Sequence, residues 1–337
     1  MLADYFDYIA GTSTGAIIGT CLTLGMRVGD VSRFYEESGP AMFDKVGLIR
    51  RFKEGKFHDK KLAVRLQELI GERTGNPMST LGSEHLRALL MVVLRNVTTD
   101  SPWPVSNNPA AKYNAPHRDN CNLNIPLWQL VRGSTAAPTY FPPEVVKVGE
   151  QEFIFEDGGV TMYNNPAFQL FLMATVEAYN LAWLAGEKEM LLVSIGTGTD
   201  PKANANLAPG QMNLLYNATS IPAALMFAAS NEQDFLCRVF GKCLVGDPLD
   251  REIHNMIDER DLEKGFPGCK GPCDKLFTYL RYNAELSKTG LDRLGVGHLN
   301  PEHVQQMDSV DHIDEMRQVG QAVGKKVAME HFEGFTT

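Results

Sequence analysis

The chain has 337 residues, enough to bury a large core, and its 44% hydrophobic and 22% charged content is that of an ordinary globular protein. A formal net charge of −9 argues against nucleic acid as the main partner and against tight electrostatic adsorption to an anionic membrane. No run reaches the ~18 apolar residues of a spanning helix. Met1-Leu2-Ala3-Asp4 lacks the basic start and apolar run of a signal peptide, so the cytoplasm is the expected compartment.

The first element is a β-prone run, Tyr5 to Ile9, that enters Gly11-Thr12-Ser13-Thr14-Gly15 and leaves as an apolar helix over Ala16 to Leu24, with Gly25 as its cap. This is a G-x-S-x-G turn in a strand–turn–helix setting, which lifts a serine out of a sharp bend. The small residues Gly11 and Gly15 are expected to let strand and helix approach. Ser13 is the candidate nucleophile. The backbone N–H of Thr14, at the start of the helix, is the candidate donor to an oxyanion.

A helix is predicted over 28–44, broken near Gly39-Pro40. Leu48 to His58 carries Arg50, Arg51, Lys53 and Lys56 among Phe52 and Phe57, and reads as a solvated loop more readily than as a headgroup-binding patch. Residues 59–71 have helical periodicity, and 85–94 read as a strand buried on both faces. The Pro- and Asn-rich stretch 101–124 reads as an irregular surface loop. A helix begins at Pro126, proline being favoured in a first turn. It runs into Gly133-Ser134-Thr135-Ala136-Ala137-Pro138, whose small residues suggest close packing.

Two short strands, Glu144 to Val148 and Glu152 to Phe155, follow. The second ends in Glu156-Asp157-Gly158-Gly159, a carboxylate position typical of sites in α/β proteins. Residues 166–185 read as one long apolar helix and 190–195 as a buried strand. Gly196-Thr197-Gly198-Thr199 reads as a glycine-rich loop at a strand end, since it lacks the lysine and length of a phosphate-binding loop. Residues 211–240 look helical, a loop-rich cysteine region follows, and amphipathic helices close the chain near 301–331.

Six cysteines in a chain of this length do not make a disulfide scaffold. Cys237, Cys243, Cys269 and Cys273 lack the spacing of a metal knuckle and read as unremarkable thiols or one bridge rather than a zinc site. No cofactor is expected. A serine nucleophile needs a base. The elbow comes too early for the usual Ser–Asp–His hydrolase topology, and His254, His298, His303, His312 and His331 all read as surface or helix histidines. Asp157 is better placed.

Taken in order, Gly11-Thr12-Ser13-Thr14-Gly15, Ser134-Thr135-Ala136-Ala137-Pro138-Thr139-Tyr140-Phe141-Pro142-Pro143 and Asp157-Gly158-Gly159 closely resemble the patatin-like phospholipases, over roughly residues 4–200. The resemblance implies an α/β fold with a mainly parallel central sheet flanked by helices. It also implies a patatin-like catalytic domain over 1–205, followed by a mostly helical C-terminal portion over 206–337. It further implies hydrolysis of acyl esters of phospholipids or related lipids by a Ser–Asp dyad without metal. Ser13 would be the nucleophile, Asp157 the general base and acid, and Gly11, Thr12, Gly15, Gly158 and Gly159 the supporting motif residues. The implied partners are a lipid or acyl-ester substrate and a transient membrane or micelle surface, with peripheral membrane association.

The family carries a strand and a Gly-rich oxyanion loop ahead of the elbow, and Tyr5 lies only four residues after Met1. The expectation is therefore an N-terminally shortened chain. The rival expectation is a non-catalytic lipid-binding or scaffold relative that lacks that loop.

Overall fold

The computed structural model describes residues 1–42, 59–138, 141–199, 214–247, 274–306 and 310–335. The basic stretch 48–58, Thr139-Tyr140, His254, Cys269 and Cys273 lie outside them. Two compact units divide at Ala182/Trp183, Met1–Ala182 and Trp183–Thr337. The protein is α/β in both.

In the first unit β1 (Tyr8–Thr12) leads through α1 (Thr14–Thr23), α2 (Val28–Met42) and α3 (Asp59–Thr74) to β2 (Leu89–Asn96). β2 returns parallel to β1, with Tyr8 beside Leu89 and Thr12 beside Val93. Helical crossovers of this kind are what parallel neighbours require. β3 (Ser101–Ser106), α4 (Leu127–Ser134), β4 (Glu144–Val148), β5 (Gln151–Asp157) and α5 (Ala167–Thr175) complete the unit. β3 pairs antiparallel with β2, β5 antiparallel with the far end of β2, and β4 antiparallel with β5.

The core follows the hydropathy of β2. Leu90, Met91, Val92, Val93 and Leu94 are all fully buried, so both faces of the strand are covered, as the continuous apolar run predicts. Ile17, Leu62, Leu66, Ile70, Leu127 and Leu130 from the helices pack into the same cluster. Each such side chain contributes about 1.5–3 kcal/mol by its removal from water.

Three expectations change. Ser101–Ser106 is a strand although it holds Pro102 and Pro104. Proline is accommodated where a strand edge needs no N–H donor, and these two alternate along a strand paired only with β2. The helix at 28–42 continues through Gly39-Pro40 instead of breaking there. The apolar run 166–185 is helical only to Thr175. Val176 is extended (ψ 127°) and begins a single 3-10 turn, and Asn180 and Ala182 take positive φ. The β-branched Thr175-Val176 pair and Asn180, a residue tolerant of left-handed backbone, explain the stop.

The second unit has its own parallel sheet in the order β6 (Leu191–Ile195), β8 (Thr278–Tyr282), β7 (Lys242–Val245), with the long α6 (Leu214–Phe240) before β7. Two of these strands were not foreseen in the helical reading of the C-terminal portion. Three short helices follow, α7 (Lys288–Arg293), α8 (Pro301–Gln305) and α9 (Ile313–Gly324). Leu286, Leu291, Leu299, Val304 and Val319 form their core. The Gly196–Thr199 loop is filled by Asn283, whose Oδ1 accepts from the Gly198 N–H at 3.0 Å, leaving no cradle for phosphate there. Cys21, Cys121 and Cys237 are free thiols, and the Cys243 thiol donates to the Val245 carbonyl at 3.4 Å. Among the described residues no helix is long and apolar enough to cross a membrane.

Candidate active site

Ser13 sits between β1 and α1 with φ 56° and ψ −121°, a conformation that a non-glycine residue adopts at a cost of about 1–3 kcal/mol. Three contacts hold it there. A Cβ on Gly11 would lie 1.9 Å from the Gly15 carbonyl oxygen, so only glycine permits the strand to pass so near the first turn of α1. The Ser13 N–H donates to Ser134 Oγ at 3.0 Å, and that hydroxyl donates to the Val93 carbonyl at 2.6 Å. Thr12 Oγ1 donates to the Tyr163 carbonyl at 2.8 Å. Gly15 differs from the sequence expectation: a Cβ there meets nothing within 4 Å among the described residues, so the close approach rests on Gly11.

The Ser13 hydroxyl donates to Asp157 Oδ2 at 2.6 Å across 144 residues of sequence. Asp157 ends β5, and the register that sets Asp157 opposite Leu94 brings it to the end of the sheet where β1 delivers Ser13. Its backbone N–H is bound by the Ala136 carbonyl at 3.0 Å. Its Oδ1 accepts from the Gly159 N–H at 2.7 Å. Gly158 is required by packing, since a Cβ would lie 2.3 Å from the Val93 oxygen. The carboxyl is buried, and that desolvation pushes it up from 3.8 to about 6, against the opposing pull of the Ser13 and Gly159 hydrogen bonds.

Thr14 opens α1, and its N–H, in the first turn, has no intrahelical acceptor. It stands beside the serine at the positive end of the helix dipole. Of the late histidines, His298 is bonded to Gln318, His303 and His312 to Glu315, and His331 to the Tyr282 hydroxyl.

Ser134 is the site residue whose part the sequence did not disclose. It lies inside the small-residue string before Pro138, where the expected role was close packing rather than a hydrogen bond to the elbow. A cavity of about 410 Å³ opens at the other end of the sheet, lined by Leu81, Leu86, Arg87, Leu89, Asn107 and Leu123, and takes no part in this arrangement.

A half-buried serine on a strained strand-to-helix turn is thus hydrogen-bonded to a buried carboxyl. The family model for patatin-like phospholipase matches residues 2–171, half of the chain, and the protein belongs to that family. It is 31% identical to Patatin-17 of Solanum cardiophyllum over 215 residues, and 30% identical to Patatin-T5 of Solanum tuberosum over 217 residues. Each alignment covers 59% of this chain and 51% of the relative, so the chain spans about half the length of the curated relatives it matches. VipD from Legionella pneumophila matches at a TM-score of 0.35 and 15% identity, over 94% of this chain and 61% of that one, too loosely to argue from.

Proposed function

We propose that the protein hydrolyses acyl esters of phospholipids or related lipids, with Ser13 as nucleophile and Asp157 as the base that serves it directly. The observation that carries this reading is the 2.6 Å contact between Ser13 Oγ and Asp157 Oδ2 at a carboxyl raised to about 6. A carboxylate of that basicity is ionised at neutral pH and still accepts a proton in a transition state.

Oγ attacks the ester carbonyl carbon while its proton passes to Asp157. The carbonyl oxygen gains the charge, facing the Thr14 N–H and the start of α1. When the tetrahedral intermediate collapses, the C–O bond to the alcohol breaks, and Asp157 returns the proton to the leaving alkoxide. Water then attacks the acyl-serine, giving a proton to Asp157 as it does so. The acid leaves, and Ser13 regains its hydrogen. Esters suit this site because an alkoxide needs less acid assistance than an amine. Val160 and Met162, exposed apolar side chains just after Gly158-Gly159, support a substrate with acyl chains and transient contact with a lipid surface.

A fluorophosphonate probe tests the reading. Labelling of the wild-type chain that Ser13→Ala abolishes is the expected result. No labelling refutes it and leaves a non-catalytic lipid-binding relative; labelling that survives Ser13→Ala refutes Ser13 as the nucleophile. Rates on phosphatidylcholine, monoacylglycerol and a short p-nitrophenyl ester then rank the substrate class; a preference for the short ester would replace the lipid assignment with a general carboxylesterase.

A further inference from the structure

His303, in the middle of α8, and His312, in the turn before α9, converge on Glu315 in the first turn of α9. Each Nδ1 lies 2.9 Å from the same oxygen, Glu315 Oε1. The two rings are stacked, with centroids 3.7 Å apart and planes 14° from parallel. The three ligand atoms lie within 4.8 Å of one another. All three side chains are partly buried, with relative exposures of 36%, 29% and 25%, so each keeps a wet side.

Several features set this cluster apart from a surface ion pair. One carboxylate oxygen serves two imidazoles, and the rings that present the two nitrogens lie face to face. His303 lies in α8 and Glu315 in α9, two helices whose apolar side chains Val304 and Val319 are buried in one cluster, and His312 immediately precedes α9, so the three ligands are held by a packed scaffold. Two imidazoles and one carboxylate are a complete set of protein ligands for a zinc ion that keeps a fourth, water-filled position.

We propose that His303, His312 and Glu315 form a binding site for a divalent transition metal ion of the zinc type, separate from Ser13 and Asp157. Tetrahedral bonds of ~2.0–2.1 Å place ligand atoms roughly 3.3 Å apart, close to the 2.9 Å separations already present. Turning the imidazoles about χ2, a broad torsion, is the adjustment that seating an ion among the three ligand atoms requires. On binding, each neutral ring takes the tautomer with its single proton on Nε2, which leaves the Nδ1 lone pair for the ion. The ion ties α8 to α9 across a connection of few residues, and its role is to brace this end of the second unit.

The test is zinc uptake by the chelator-stripped 337-residue chain, followed by calorimetry with Zn²⁺ and by the visible spectrum with Co²⁺. Expected are a single equivalent of Zn²⁺, a rise in Tm on adding it, and affinity lowered at least about tenfold by His303→Ala and by Glu315→Gln. The conservative His312→Gln, checked for fold by circular dichroism, covers the case in which either variant fails to fold. His298→Ala should bind as wild type does. Absence of zinc uptake by the folded chain overturns the site, as does affinity unchanged in the folded variants. A Co²⁺ spectrum dominated by thiolate charge transfer would equally overturn it, by moving the ion to the cysteines.

Discussion

Replacing Asp157 by asparagine should abolish turnover and, at neutral pH, make the protein more stable. The carboxyl titrates near 6 in the folded chain because burial disfavours its charge, against 3.8 for the unsituated group. A group whose folded value is raised lends stability that is full below the unfolded value, and that stability is lost as pH rises through the folded value. Across the window from about 4 to about 6 the wild type therefore gives up about 3 kcal/mol.

Asparagine has nearly the same shape, keeps an oxygen for the Gly159 N–H and offers an amide N–H to Ser13, but has no charge to desolvate. Relative to wild type, Asp157→Asn should be up to about 3 kcal/mol more stable at pH 8 and nearly equal at pH 4. For a unit of some 180 residues that is a difference in Tm of about 6–12 °C at the higher pH. Thermal unfolding followed by circular dichroism across pH 4–8, with turnover measured on the same samples, reads both effects. A variant no more stable than wild type at pH 8, or a gap that does not close on acidification, would refute the argument that Asp157 is a desolvated carboxylate.

The rate itself should fall on the acid side with an apparent pKa near 6, since the base must be ionised; a profile flat down to pH 4.5 in the free enzyme would exclude Asp157 from proton transfer. Gly11→Ala drives a methyl group into the Gly15 carbonyl and should lose both soluble yield and probe labelling, while Gly15→Ala should be soluble and folded, a contrast visible in expression and circular dichroism. Ser134→Ala removes the acceptor of the Ser13 N–H and should cost about 1–3 kcal/mol by urea denaturation. Its effect on hydrolysis should appear in kcat more than in KM, because the change loosens the nucleophile and leaves the substrate's contacts in place.

Much of the site could be read one residue at a time. A glycine on the strand side of a serine turn, an apolar run on either side of it, and a carboxylate closing a strand before two glycines are local signals, because turn chemistry and side-chain periodicity act over a few residues. They placed Ser13 and Asp157 and the alternation of strands and helices as far as β6. Where local signals misled, a neighbour in space had overruled them. Pro102 and Pro104 are tolerated in a strand because β3 lies at an edge, which no window of sequence reveals. β7 and β8 in the second unit gain their strand character from pairing with one another.

What the sequence determined by itself was which chemical groups the chain possesses and which turns would expose them: a serine lifted from an elbow and an aspartate at a strand end. Tertiary structure alone decided that the two meet at 2.6 Å, that burial raises the aspartate to about 6, and that Ser134 holds the elbow from behind. It also brought His303, His312 and Glu315, unremarkable in sequence, to a common point. The reason is physical. A residue's identity and backbone preference are carried by its own covalent chemistry, whereas its distance to a partner 144 residues away and its share of water are set by how the whole unit packs.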